Sequence, residues 1–215
     1  MDTYTSPDYD RAALVTIDVQ RDTLDGQPFE VPGTSAAVPQ IARAVQFFRT
    51  RSQPIVHVVR LYRADGTNAD PCRRRLIERG GQFVIAGSAG AELARPLLSS
   101  REIALDVDLL LAGELQTIGP AEWIMYKPRW GAFFRTRLEQ HLRSLQVSTL
   151  VFAGCNFPNC PRASIYEASE RDFRIVVLAD ALSGLYPLGR KELENIGVRI
   201  VDTEECLSDA ACPAA

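Results

Sequence analysis

Apolar residues gather along this chain in short unbroken runs separated by longer stretches of mixed polarity. "AALVTID" (Ala12 to Asp18) is the first such run, and "QPIVHVVRL" (Gln53 to Leu61) the second. "EWIMYK" (Glu122 to Lys127), "STLVFAG" (148–154), "FRIVVLAD" (Phe173 to Asp180) and "GVRIVD" (Gly197 to Asp202) complete a set of six predicted strands. The runs do not alternate apolar with polar, which is the mark of strands covered on both faces. Between them the period lengthens to that of a helix. Val38, Ile41, Ala42, Val45 and Phe48 share one face over residues 35–52, and Phe134, Leu138, His141, Leu142 and Leu145 share another. A third helix is predicted from Pro161 onward. Strand and helix alternate almost throughout, which predicts an α/β fold: a doubly wound, mostly parallel six-stranded sheet with helices on both faces.

Residues 62–120 break the alternation. "RADGTNADPCRRR" and "GSAGAEL" show little periodicity, so this stretch is read as loops and short helices that partly cover a site. With no repeat and no linker, residues 1–215 are expected to form a single domain.

Composition narrows the function classes. Hydrophobic residues are 46% of the chain, enough for a large core, and the net charge is −3. The longest basic stretch is Arg73 to Arg75, which argues against a nucleic-acid partner. No apolar run is long enough for a membrane span, and the first residues lack the apolar centre of a secretory signal. The five cysteines (Cys72, Cys155, Cys160, Cys206, Cys212) are odd in number and irregularly spaced. That suggests reduced thiols and a cytoplasmic location rather than a disulfide framework. Cys212, in the "SDAACPAA" tail expected to fray, is given no role.

In open α/β sheets ligands bind beyond the carboxyl ends of the strands. The first run ends at Asp18, the third at Lys127, and the fourth leads to Cys155 and Cys160. Singly, each has a plain structural reading: a loop acid, a solvated lysine, a small buried hydrophobe. Together, an acid, an amine and a thiol at three strand ends make a nucleophilic site. The two thiols separate by position. Cys155 directly follows Gly154 and is expected to pack. Cys160 precedes Pro161, a residue favoured at the start of a helix, so Cys160 is expected at the N-cap, where free amides and the helix dipole lower a thiol's pKa. Substrate contacts are expected from Gln20, Arg129, Trp130, Phe133 and Phe157, with Arg129 a candidate for a substrate carboxylate and Phe134 assigned to the core.

These residues resemble the isochorismatase-like cysteine hydrolases, through "TIDVQ", "YKPRWGAFFRTRLEQHL", "GCNFPNCPRAS" and "VVLADALSG", over most of the chain. The resemblance implies an Asp–Lys–Cys triad at Asp18, Lys127 and Cys160. It also implies a cis peptide bond between Cys155 and Asn156, which would turn the Asn156 and Cys160 amides toward a substrate oxygen. The metal site of nicotinamidase-like members needs an Asp-x-His pattern after the second strand. Here His57 has no such partner and His141 falls in a helix, so no metal and no cofactor are expected. The expected activity is hydrolysis of an amide, ureido, carbamoyl or lactam C–N bond in a small molecule through a thioester. The alternatives are vinyl-ether hydrolysis with Asp18 as acid, and a catalytically silent binding protein. A flavin or nucleotide site would need a phosphate loop that "GSAGAE" does not supply. Relatives of this kind imply a homodimer or larger assembly.

Overall fold

The computed structural model describes residues 2–211, so Cys212 lies outside the described residues. The elements run β1 (Ala12–Ile17), α1 (Thr34–Thr50), β2 (Ile55–Val59), α2 (Pro71–Glu78), α3 (Val107–Leu111), β3 (Leu115–Gly119), β4 (Glu122–Tyr126), α4 (Leu138–Ser144), β5 (Thr149–Gly154), α5 (Cys160–Ser169), β6 (Arg174–Leu182), α6 (Pro187–Glu194), β7 (Arg199–Val201) and α7 (Thr203–Ala211). Among the described residues the sheet has seven strands in the order β3-β4-β2-β1-β5-β6-β7. β3 pairs antiparallel with β4, and every other pairing is parallel. The six expected strands are all present. The seventh, β3, comes from inside residues 62–120, where it forms a half-exposed edge that carries no apolar run.

β1 shows why the runs are unbroken. Ala13, Val15 and Ile17 face one core with Phe152, Leu142 and Ile165, while Ala12 and Leu14 face another with Val38, Ile41 and Phe48. Both faces are dry, so neither parity of the strand is polar. The sequence places Ala42 on the buried stripe of α1. In the fold Ala44 takes that place beside Ala37, Ile41, Val45 and Phe48, and Ala42 is only partly covered. A third core under residues 62–120 gathers Leu61, Tyr62, Ile77, Val84, Leu93 and Leu110.

Two helix predictions need correction. The helix after β4 begins at Leu138 and does not include Phe134, because residues 128–137 are spent on bends and turns that follow Lys127. Phe134, assigned to the core, is 41% exposed, with Arg135 laid over its ring. At the other end Ser208–Ala211 do not fray but complete α7, anchored by buried Cys206 and Ala210.

Along the sheet, connections go one way from β1 to β2 and the other way from β5 to β6. The order therefore switches between β1 and β5, and a crevice opens where the two carboxyl ends part.

Candidate active site

β1 ends by turning its last residues over the sheet edge. Asp18 has φ 53°, in the left-handed region, which aspartate tolerates better than most residues. Its N–H is held by Val58 O at 2.9 Å, and its carbonyl accepts from Gln20 N at 2.9 Å. The matching end of β5 is Gly154, at φ 132°. A Cβ there would lie 2.2 Å from Ile17 O, so only glycine lets the ends of β1 and β5 approach this closely. These two ends, with the end of β4, bring Asp18, Lys127 and Cys160 together.

Lys127 is the centre of the group. Its side chain is fully buried. Nζ lies 2.9 Å from Asp18 Oδ2, 3.2 Å from Cys160 Sγ and 3.3 Å from Arg129 O. An ammonium has three N–H donors, and each has an acceptor here. Burial works against the charge, but the Asp18 carboxylate and the Cys160 sulfur together outweigh it, so Lys127 is held above its ordinary pKa. Asp18 spends Oδ2 on this ion pair. Its Oδ1 is buried and has no hydrogen-bond partner among the described residues. A buried acceptor left open beside a thiol is placed to take a proton.

The thiol itself departs from expectation. Cys160 is the first residue of α5 and Asn159 is the N-cap, so the predicted cap is displaced by one residue. The predicted lowering of its pKa is reversed. Burial, and then the negative charge of Asp18, push the Cys160 thiol well above its ordinary value, against the pull of Lys127. Cys160 is only 8% exposed, and the cost of desolvating a thiolate there, with the Asp18 charge beside it, outweighs what the helix start supplies. The proton therefore rests on sulfur, beside a paired Asp18 and Lys127. Cys155 matches its structural reading: it is buried, donates from sulfur to Asp18 O at 3.1 Å, and is pushed up to about 12 by burial.

The turn between β5 and α5 is built on trans peptide bonds. Among the described residues there is no cis bond, so the one expected at Cys155–Asn156 is absent. The chain reverses instead through Gly154 and through Asn159, whose φ and ψ are −114° and −104°. Phe157 N donates to Ser183 O and Asn159 N to Asn156 O. The N–H groups of Asn156 and Cys160 have no partner among the described residues.

These groups open on a cleft with about 510 Å³ of space not filled by atoms, its mouth included. Asp18, Lys127, Cys160, Asn156, Gln20 and Trp130 line it, as expected. Gln20 is fully used by the fold: its amide donates to Arg60 O and Ala91 O and accepts from Arg60 N, so it joins β2 to the loop beneath the cleft. Phe157, Phe133 and Arg129 are not on the wall. Phe157 packs on Tyr186 with centroids 5.3 Å apart, and Phe133 packs on Phe173, because both side chains turn down into the α5 side of the core. Arg129 is partly exposed, with Nη1 on Pro128 O and Asn68 O and Nε 3.7 Å from Asp70 Oδ1.

Other liners were hidden in the sequence. Arg60 sits inside the apolar run of β2, although the carboxyl-end rule would have singled it out. It stacks on Tyr62 at 4.4 Å and pairs with Asp70 at 3.0 Å. Tyr62, Arg73, Phe83 and Val84 all come from the aperiodic stretch 62–120. His57 is buried between Thr16 at 2.8 Å and Glu122 at 2.9 Å, and His141 packs edge-on against Trp123. Among the described residues no group of three or more His, Cys, Asp or Glu is placed to hold a metal ion.

Comparison with known proteins places the geometry in context. A family model described as "Isochorismatase domain" matches residues 12–101 and 110–205. The chain is 30% identical to a "Probable inactive nicotinamidase" of Arabidopsis thaliana, covering 93% of this chain and 96% of that one. It is 31% identical to a "Ureidoacrylate amidohydrolase" of Methylobacterium radiotolerans, covering 85% of this chain and 72% of that one. An isochorismatase family protein of Desulfovibrio vulgaris has a solved structure that superposes with a TM-score of 0.79 at 30% identity, over 94% of this chain and 99% of the other.

Proposed function

The chain belongs to the isochorismatase family, and we propose that it is a hydrolase of non-peptide C–N bonds in small molecules, working through an Asp18–Lys127–Cys160 triad. One observation carries this reading: a single buried ammonium holds the carboxylate and the thiol at 2.9 and 3.2 Å, with Asp18 Oδ1 left open as a proton acceptor. Relatives named as amidohydrolases, and one named as an amidase, support the bond type.

The chemistry follows from the resting charges. Cys160 begins as a thiol, so an activated nucleophile requires that a base remove its proton as it attacks. Asp18 takes that proton, and the sulfur forms a bond to the substrate carbonyl carbon. The developing oxyanion is negative where the N–H groups of Asn156 and Cys160 are unpaired, and Lys127 adds a positive charge nearby. As the C–N bond breaks, protonated Asp18 gives its proton to the departing nitrogen, which leaves as ammonia or an amine. A water then gives a proton to Asp18 while its oxygen attacks the thioester. The C–S bond breaks, the proton returns to sulfur, and the acid product leaves.

A second reading, a catalytically silent binding protein, is favoured by the relative named "probable inactive". Ammonia release from small amides, ureides and carbamoyl compounds separates the two, with mass detection of opened lactams on the same samples. Wild type is expected to turn over part of the panel, and Cys160→Ala to lose on the order of 10³-fold or more. Equal turnover by Cys160→Ala sinks the thiol mechanism and returns the chemistry to Asp18 alone. A wild type inert to the whole panel favours the silent reading.

A further inference from the structure

Residues 62–120 give the cleft four side chains: Tyr62, Arg73, Phe83 and Val84. Three of these are aromatic or aliphatic, and one is a cation. Its position is unusual within its own helix. Arg74 and Arg75 of the same basic run are exposed, whereas Arg73 is half-buried and turned onto the cleft. Its guanidinium carbon lies 5.4 Å from the centroid of Phe83.

The other charges on the wall are accounted for. Lys127 pairs with Asp18 at 2.9 Å, and Arg60 with Asp70 at 3.0 Å. Asp70 also accepts from Tyr62, and Asp22 Oδ2 accepts from Val84 N. Among the described residues, the Arg73 side chain has no carboxylate partner and makes no hydrogen bond. Of the charged side chains that line the cleft, Arg60, Arg73 and Lys127 are cations and Asp18 is an anion, +3 − 1 = +2. Asp70, behind the wall, answers Arg60 at 3.0 Å and Arg129 at 3.7 Å, and among the described residues Arg73 is left without a counter-ion. Half-burying a guanidinium without a counter-ion is costly, and its planar fork matches a carboxylate in two parallel hydrogen bonds. The Phe83 ring beneath it limits the orientations the fork can take.

We infer that Arg73 recognises a carboxylate on the substrate, so that the hydrolysed compound is an anionic amide or carbamoyl acid carrying its acid group a few atoms from the scissile carbonyl. The inference rests on the hydrolase reading above. It assigns residues 62–120 a role in substrate selection.

The test uses substrate pairs that differ only in the acid. Succinamate and butyramide share a chain in which CO₂⁻ is replaced by CH₃, as do N-carbamoylglycine and ethylurea. Wild type is expected to favour the acid of each pair in kcat/KM. Arg73→Ala should cut the acid-over-neutral ratio roughly 10- to 100-fold, the worth of a charged hydrogen-bonded contact. Arg73→Lys should restore part of the ratio, because a point charge replaces the fork. Added salt should erode the wild-type ratio. A wild type that favours the neutral partners, or an Arg73→Ala variant that keeps the full ratio, overturns the inference and leaves the hydrolase reading standing. If neither pair is turned over, the hydrolase reading fails on these probes and the anion site is decided by binding. Succinate is then titrated against the fluorescence of Trp130, which lines the same cleft. Saturable quenching that Arg73→Ala abolishes upholds the carboxylate site, and equal response in both proteins refutes it.

Discussion

Replacing Lys127 by methionine keeps most of the side-chain volume and removes one buried charge. At 2.9 Å, an effective dielectric constant of about 20 gives a gross attraction to Asp18 of about 6 kcal/mol. Part of that is cancelled by the desolvation of both groups. What the variant leaves behind decides the outcome: a carboxylate whose side chain is 11% exposed, with neither oxygen paired to a cation. Stranding a charge in this way costs about 3–5 kcal/mol, a large share of a typical domain's stability. Asp18→Asn strands the ammonium instead and should cost a similar amount. The double variant strands nothing, so it should return to within about 2 kcal/mol of wild type while remaining inactive. Urea unfolding followed by circular dichroism at pH 7.5 gives all four stabilities, with ammonia release measured on the same samples. A Lys127→Met cost below about 1 kcal/mol, or a double variant as unstable as the sum of the singles, would show that the pair is not the electrostatic unit described here.

Two further outcomes follow from other parts of the fold. Glu122 is held down to about 2, burial opposing and His57 and Arg49 outweighing it. A depressed carboxylate stabilises the fold above its unfolded pKa near 4.5, and that share is lost as pH falls toward 2. It amounts to on the order of 3 kcal/mol, and Glu122→Gln should flatten the acid limb of stability measured between pH 5 and 2. Gly154→Ala places a Cβ 2.2 Å from Ile17 O at φ 132°, and should cost about 3 kcal/mol or more in urea unfolding. A cost near zero would mean that the ends of β1 and β5 separate freely.

The parallel strands were readable because both faces of each are buried, so an apolar run has one structural meaning. β3 was not readable: Leu115–Gly119 lies at an edge, antiparallel and half-exposed, and holds no run. Asp18, Lys127 and Cys160 were found by the single rule that strand carboxyl ends hold chemistry, and the fold does bring them into contact. The same rule applied to β2 would have found Arg60, which the apolar letters around it concealed. Phe157 and Phe133 were misplaced because a bend has no period, and nothing local says whether a ring turns up to the cleft or down to the core. The protonation of Cys160 was misjudged for a related reason. The helix start is a local property, whereas burial and the nearby Asp18 charge arise only when three distant segments meet. The same holds for Arg73, one of three consecutive arginines whose inward turn depends on how α2 sits over Phe83.

The parallel pairing of β1 with β5 joins Ile17 to Gly154, which are 154 − 17 = 137 residues apart. At a ribosomal rate of about 5–20 residues per second, one edge of β1 waits roughly 7–27 s for its partner. Throughout that interval a strand that is buried along its whole length in the finished fold has an open edge, the kind that recruits other chains. The nascent protein is then more exposed to aggregation than the finished one. Asp18 and Cys160 meet only when that edge closes, so any activity regained during refolding is expected to report on the most sequence-distant pairing of the sheet.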